Sequence, residues 1–132
     1  MKISDILVEK TPHLSFEVFP PKTDAAYEGV LKATEAIAEL KPSYMSVTYG
    51  AGGTTKGGTI EMASYIKNKL NIEAVTHLTC VGSRKDEIEN FLNELERNNI
   101  ENILALRGDI PKDQDESIYD RGDFLYASDL IK

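Results

Sequence analysis

The chain has 132 residues and a formal net charge of −7, with 41% hydrophobic and 28% charged residues. These values are typical of one globular domain. The acidic balance excludes proteins that bind nucleic acid through a clustered basic surface. No apolar run is long enough to span a bilayer, and the N-terminus lacks the apolar core of a signal peptide. Because Cys80 is the single cysteine, an internal disulfide is excluded and a reducing, cytoplasmic location is expected.

The first predicted element is a short buried strand over residues 14–19, which ends at two prolines. It carries one carboxylate, Glu17. Side chains alternate between the two faces of a strand, so Glu17 shares a face with Ser15 and Phe19. An acid is rarely buried without a partner or a task. Glu17 is therefore a candidate functional residue, and the alternative is a glutamate at a solvated strand end.

Helices and strands then alternate along the chain. Runs rich in β-formers predict three more strands: 44–49, 73–79 and 102–107. Helical spacing of apolar residues predicts three helices: 24–40, 59–70 and one that opens at a capping box formed by Ser83 and Asp86. A glycine-rich loop covers 50–58, and a long acidic loop leads to a further helix start at 126–130.

This order of elements predicts an α/β fold with a parallel sheet covered by helices, either doubly wound or a (βα)8 barrel. A complete barrel takes about 250 residues, so this chain corresponds to half of one. We expect about four parallel strands with intervening helices. Because the chain stops after a helix start, we expect an N-terminal part of a longer domain.

Each predicted strand ends in groups that are typical of an active site. In parallel α/β folds the chemistry lies at the carboxyl ends of the strands. The groups are Glu17, Thr48 with Tyr49, His77, and Arg107-Gly108-Asp109. Each has an ordinary structural alternative when taken alone, such as a half-buried structural histidine at His77. Their occurrence at all four strand ends predicts one common site.

Four other features are interpreted as structural or incidental. His13 begins the first strand and is predicted to be structural. Cys80 has no basic neighbour in sequence to activate it, so we expect a small buried hydrophobe. The loop 50–58 does not match a phosphate-binding motif. A second Arg-Gly-Asp tripeptide, at 121–123, lies in the acidic loop and is interpreted as incidental, because a cytosolic chain has no use for an adhesion motif.

Five ordered motifs resemble those of methylenetetrahydrofolate reductase, a flavoprotein family that makes 5-methyltetrahydrofolate. They are Ser15-Phe16-Glu17-Val18-Phe19-Pro20-Pro21, Ser46-Val47-Thr48-Tyr49-Gly50-Ala51-Gly52-Gly53, His77-Leu78-Thr79-Cys80, Leu104-Ala105-Leu106-Arg107-Gly108-Asp109 and Tyr126-Ala127-Ser128-Asp129-Leu130. The resemblance implies that residues 1–132 are the N-terminal half of a flavin-dependent (βα)8 TIM barrel. That half would be truncated after the fourth strand and the start of the next helix.

The resemblance also implies an oxidoreductase activity in one-carbon metabolism, which supplies methionine biosynthesis. FAD-dependent reduction of 5,10-methylenetetrahydrofolate would use a nicotinamide donor, NADH or NADPH, and no metal. Glu17 matches the family's general acid, which contacts the folate substrate. Asp109 matches the position where folate meets flavin, and Thr48 matches a nicotinamide contact. The residues that match flavin-contacting positions of the family are Tyr49, Ala51, His77, Arg107, Gly108, Asp109, Tyr126 and Ala127.

The chain departs from the family pattern at Lys56-Gly57-Gly58, where the family usually carries arginine and acidic residues. With the second barrel half absent, open strand edges predict a homo-oligomer or association with the missing half. We expect little or no turnover from this chain alone. The alternatives are a noncatalytic half-barrel that serves as a binding or assembly module, and another flavin- or folate-dependent barrel enzyme.

Overall fold

Four parallel strands form one sheet in the computed structural model, which describes residues 1–21, 23–50, 56–110 and 114–131. The strands lie in the order β1-β2-β3-β4, and each pairs in parallel with the next. The elements are α1 (Ile3–Ile6), β1 (Ser15–Val18), α2 (Asp24–Ala38), β2 (Tyr44–Val47), α3 (Lys56–Asn68), β3 (Glu73–Thr79), α4 (Lys85–Arg97), β4 (Asn102–Leu106) and a 3₁₀ turn (Ala127–Asp129). This confirms the predicted half of a (βα)8 barrel.

The predicted element boundaries differ from the structure mainly at loops. β3 has the predicted bounds, whereas α3 begins at Lys56 instead of residue 59. The predicted capping box is wrong by one residue: the Glu87 carboxylate accepts a hydrogen bond from the Arg84 backbone N–H at 2.9 Å. Ser83 is not available as the cap, because its hydroxyl is buried and lies 3.5 Å from the Thr79 carbonyl oxygen. Most of the predicted loop, residues 51–55, lies outside the described residues.

The core lies between the sheet and the helices. Alternation along the strands puts Met45, Val47 and Ala74 on one face, where all three are fully buried. The apolar stripes of α3 and α4 pack against this face through Met62, Ile66, Ile88, Phe91 and Leu95. Burial of each such large side chain contributes about 1.5–3 kcal/mol, so the apolar stripes hold α3 and α4 on this face of the sheet.

The amino ends of β3 and β4 are tied to the N-terminal segment. The Asn102 carboxamide accepts a hydrogen bond from the Ile3 backbone N–H at 2.9 Å and donates to the Met1 carbonyl and the Glu73 carboxylate. The Lys67 ammonium also donates to Glu73, at 2.7 Å. Burial lowers the pKa of Lys67, but the hydrogen bonds to Glu73 and the N-terminus and the charges of Glu73 and Glu101 together outweigh burial, so the pKa is raised. These contacts place α1 at the amino ends of the strands.

Two tyrosine–glutamate hydrogen bonds connect α2 to α3. Tyr27 on α2 donates to Glu61 on α3 at 2.6 Å, and Tyr65 on α3 donates to Glu35 on α2. Each hydrogen bond to a carboxylate raises the pKa of its tyrosine above the ordinary value of 10.0. The two contacts therefore require neutral phenols.

We expect the stability of the chain to fall as the pH rises above 10. The two phenols ionise more readily in the unfolded chain than in the folded one, so the folded state binds more protons and loses stability with rising pH. The measurement is the unfolding free energy from urea titrations at pH 8 to 11. A Tyr27→Phe/Tyr65→Phe double variant should show a shallower decline, and an equally steep decline would contradict the assignment.

Among the described residues, none of the helices combines the length and the apolar character that a membrane span requires.

Candidate active site

The face of the sheet opposite α2, α3 and α4 forms a pocket of about 720 Å³, whose lining at the amino ends of the strands includes Ile3 and Ser4 of α1. Paired residues of adjacent strands share a face, and the register pairs Glu17 with Ser46 and Ser46 with Val75. His77 lies on the same face, two residues further toward the carboxyl end of β3. The lining includes Ser15, Glu17, Ser46, His77, Asn102 and Leu104. In a closed barrel this face is the interior.

Glu17 and His77 meet in this pocket, although β2 lies between their strands. The His77 Nε2 atom is 3.5 Å from the Glu17 carboxylate. The small side chain of Ser46, between them, leaves room for this approach. The predicted grouping of these two residues at the strand ends agrees with the structure. The pair provides a carboxyl and an imidazole, the two commonest groups for proton transfer near neutral pH.

The prediction that Glu17 lies in a buried strand is wrong for the described residues. Its side chain is 47% exposed, whereas that of His77 is 10% exposed. β1 is an edge strand, and of its four residues only Val18 is buried. Strand alternation directs Glu17 to the face opposite the helices, where no element of the described chain covers it.

Arg107-Gly108-Asp109 follows β4 and is fastened to the end of β3. The Arg107 carbonyl accepts hydrogen bonds from the backbone N–H groups of Val81 at 2.8 Å and Cys80 at 3.2 Å. Gly108 has a φ of +81°, and a Cβ at this position would lie 2.9 Å from the Thr79 Cβ. Only glycine satisfies both conditions. The side chains of Arg107 and Asp109 are exposed at this strand end.

The two residues after β2, Thr48 and Tyr49, are both held by neighbouring parts of the chain. The Thr48 backbone is fixed on both sides, because its N–H donates to Val18 at 3.0 Å and its carbonyl accepts from the Thr59 hydroxyl at 2.9 Å. Tyr49 is 8% exposed and belongs to the core, where its ring meets that of Phe91 edge-to-face at 5.0 Å. The structure therefore does not bring the Tyr49 ring together with Glu17 and His77. Ala51 lies outside the described residues.

Tyr126 and Ala127 lie at the 3₁₀ turn, which contacts β4. The Asp129 carboxylate accepts hydrogen bonds from the backbone N–H groups of Tyr126 at 3.0 Å and Leu125 at 3.2 Å. The Tyr126 side chain is 63% exposed. The predicted helix start is thus present as a single 3₁₀ turn, with an exposed aromatic ring beside the end of the fourth strand.

The structural interpretations of His13 and Cys80 are confirmed. His13 forms contacts through both ring nitrogens, with the Ser43 hydroxyl at 3.1 Å and the Glu9 carbonyl at 3.2 Å. Cys80 is fully buried, and burial raises the pKa of its thiol. A thiol held neutral in this way is a poor nucleophile. Among the residues with described positions, no group of three or more His, Cys, Asp or Glu side chains is arranged to hold a metal ion.

The interpretation of the second tripeptide, Arg121-Gly122-Asp123, as incidental is wrong. The Asp123 carboxylate accepts a hydrogen bond from the Lys85 backbone N–H at 2.8 Å and so caps the N-terminus of α4. The Arg121 carbonyl accepts from the Gly82 N–H at 2.9 Å. Sequence reasoning missed this role because the capping carboxylate lies 38 positions from the helix end that it caps.

Comparisons with known proteins agree with the motifs. The family model for methylenetetrahydrofolate reductase matches residues 2–132. The chain is 36% identical over 130 residues to "Methylenetetrahydrofolate reductase (NADH) 1" of Arabidopsis thaliana, covering 98% of this chain and 22% of the relative. It is 34% identical over 119 residues to "5,10-methylenetetrahydrofolate reductase" of Escherichia coli K12, covering 90% of this chain and 38% of the relative.

A third relative, "Methylenetetrahydrofolate reductase 1" of Schizosaccharomyces pombe, is 36% identical over 138 residues that cover all of this chain and 23% of the relative. The chain thus spans between about a fifth and two fifths of the length of these proteins. A family model that matches nearly every residue, together with the half-barrel and its strand-end groups, assigns the family. The chain belongs to the methylenetetrahydrofolate reductase family.

Proposed function

We propose that this chain supplies the general acid and part of the cofactor site for the reduction of 5,10-methylenetetrahydrofolate to 5-methyltetrahydrofolate, with FAD and a nicotinamide donor. The observation that carries the proposal is the approach of Glu17 and His77 to 3.5 Å at the strand ends of a family member. Both side chains line the open pocket on this face of the sheet. The Arabidopsis thaliana relative is named for NADH, which suggests NADH as the donor.

The residues at the strand ends fit FAD. A flavin dinucleotide carries a negatively charged diphosphate and a flat, largely apolar ring system. The exposed Arg107 guanidinium provides a cation that can pair with phosphate. The exposed Tyr126 ring at the turn and the 45% exposed Leu104, which pairs with His77 in the middle of β4, provide apolar surface. Gly108 lets the backbone after β4 pack closely against the end of β3, which fixes the position of Arg107.

FAD, when bound, supplies hydride transfer from the nicotinamide to the methylene carbon of the folate. Glu17 donates the proton to the folate ring nitrogen as the five-membered ring opens, which is general acid catalysis. His77, in contact with the carboxyl group, orients it for this donation. Ring opening leaves positive charge on the folate, and the Asp109 carboxylate stabilises that charge electrostatically. Thr48 contacts the nicotinamide, and its backbone is held in place by Val18 of β1 and Thr59 of α3.

The chain alone is expected to show little or no turnover. Four of eight barrel strands leave the pocket open on one side, and the relatives are several times longer than this chain. Steady-state assays with FAD, NADH and 5,10-methylenetetrahydrofolate test this expectation. Addition of a polypeptide that completes the barrel should raise the rate. Normal turnover by the purified monomer would contradict the view that the chain holds only part of the site.

A second candidate function is a noncatalytic assembly module. The observation that favours it is the exposure of large apolar residues beside the open pocket and sheet edges, such as Phe19 at 66% and Leu104 at 45%. Such surface favours association with a second copy or with the rest of a barrel. Stable dimers that bind no FAD in sedimentation and absorption measurements would favour this function over the catalytic one. Under either function we propose a cytoplasmic location.

A further inference from the structure

The two Arg-Gly-Asp tripeptides lie on either side of the turn that joins β3 to α4. The carbonyl of Arg107 accepts from the backbone N–H groups of Cys80 and Val81, at 3.2 and 2.8 Å. The carbonyl of Arg121 accepts from the next N–H along the turn, that of Gly82, at 2.9 Å. The second tripeptide therefore continues the hydrogen bonding that fastens the first one to the end of β3.

Gly122 fits this position for the same reasons as Gly108. Its φ is +74°, which disfavours any residue with a side chain. A Cβ at Gly122 would overlap the carbonyl oxygen of Ser83, with which Gly122 forms a parallel β-bridge. The Asp123 N–H donates to that same carbonyl at 3.0 Å. The approach of the two backbones therefore depends on glycine.

Side-chain hydrogen bonds also join the turn after β3 to the second tripeptide. The Arg84 guanidinium donates to Asp120 and, at 3.3 Å, to Asp123. The second Asp123 oxygen accepts from the Lys85 N–H, and this bond is the main reason that the pKa of Asp123 is lowered. Asp120 also accepts from the Gly122 N–H at 3.0 Å. We call Arg84, Asp120, Gly122 and Asp123 the clasp.

The clasp holds the segment that leads directly into the 3₁₀ turn. Asp123 is three residues before Tyr126, and Phe124 between them packs against the core. Leu130, beyond the turn, also packs against the core, so the clasp and these two apolar contacts together hold the segment. The clasp therefore fixes the point from which the chain reaches the end of β4.

We propose that Asp123 and Gly122 are positioning residues that hold Tyr126 and Ala127 at the strand ends, where these two residues contact the flavin. The contact with flavin rests on the proposed function, whereas the positioning of the turn is a property of the clasp alone. Asp123 acts through two bonds, so its loss should release the turn without unfolding the sheet.

The test compares the purified chain with Asp123→Ala, Asp123→Asn and Gly122→Ala by hydrogen exchange. Asp86→Ala is the matched control, because it removes one exposed acid from the first turn of the same helix. We expect several-fold faster exchange over residues 124–131 in Asp123→Ala and Gly122→Ala, with β3 still protected. Asp123→Asn keeps an acceptor for the Lys85 N–H and should restore part of the protection. If the amide hydrogens of residues 124–131 exchange at the parent rate in both Asp123→Ala and Gly122→Ala, the proposal is overturned.

An FAD titration of the same proteins separates the clasp from the proposed function. We expect Asp123→Ala to bind FAD several-fold more weakly than the parent chain, and Asp86→Ala to bind it equally well. Equal affinity in Asp123→Ala would overturn the positioning role toward the flavin. A parent chain that binds no FAD would overturn the proposed flavin site in this chain, while the exchange result would still decide whether the clasp positions the turn.

Discussion

Replacement of Glu17 by Gln, in a protein that carries this segment within a complete barrel, is expected to slow folate reduction by about 10²–10⁴-fold. Glutamine is similar in size and keeps a polar group near His77, but it has no acidic proton for the folate nitrogen. The carboxyl lies 3.5 Å from the His77 Nε2 atom on the open face of the sheet, and this position is the basis of its proposed role as proton donor. Loss of the proton donor should therefore affect the chemical step far more than the binding of either ligand.

The two half-reactions make this prediction specific. Rapid mixing with NADH should reduce the flavin of Glu17→Gln at the parent rate, and subsequent mixing with 5,10-methylenetetrahydrofolate should reoxidise it slowly. Glu89→Gln is a suitable control, because Glu89 is also exposed and lies on α4, where it pairs with Lys85 at 3.8 Å. Folate reduction at the full rate in Glu17→Gln would remove Glu17 from the mechanism.

Replacement of Gly108 by Ala is expected to lower the unfolding free energy by about 3 kcal/mol. The positive φ of +81° is strained for alanine, and the added methyl would lie 2.9 Å from the Thr79 Cβ and 3.0 Å from the Val81 Cγ1. The Thr79 Cβ moves only with the backbone at the end of β3, and the next two residues, Cys80 and Val81, are hydrogen-bonded to the Arg107 carbonyl. Urea titration of the purified chain measures the effect.

Gly29→Ala is the matched control for this substitution. Gly29 lies in the exposed part of α2, and a Cβ there meets no atom within 4 Å. Alanine loses less backbone freedom on folding than glycine, so Gly29→Ala should raise the unfolding free energy by about 0.5–1 kcal/mol. A Gly108→Ala chain that is as stable as Gly29→Ala would show that the turn after β4 is not constrained as described.

The alternation of strands and helices was predictable because apolar periodicity is a local property of the sequence. β3 is the clearest case: its residues are good β-formers and five of its seven positions are buried. The strand-end position of Glu17 and His77 was also predictable, since parallel strands bring their carboxyl ends to one edge. The 3.5 Å distance between them could not be predicted, because it depends on the register of β1, β2 and β3, and no single segment of the sequence determines that register.

Features that join distant parts of the chain were not predictable in this way. Asp123 caps α4 from 38 positions away, and Asn102 binds the Ile3 backbone from 99 positions away. Neither contact produces a periodic pattern of residues in the sequence from which it could be predicted. The exposure of Glu17 was mispredicted for a related reason: the apolar neighbours of Glu17 indicate a strand, but burial of its side chain depends on what covers the open face of the sheet.

An FAD titration of the purified chain, followed by visible absorption at equilibrium, decides whether the strand ends hold a flavin site. We expect saturable perturbation of the flavin band, because the proposed site at the strand ends includes Arg107, Gly108, Tyr126 and His77. The same titration with Gly108→Ala should show weaker binding. A flavin spectrum that stays unchanged at every concentration of the parent chain would contradict the claim that these strand ends hold a flavin site.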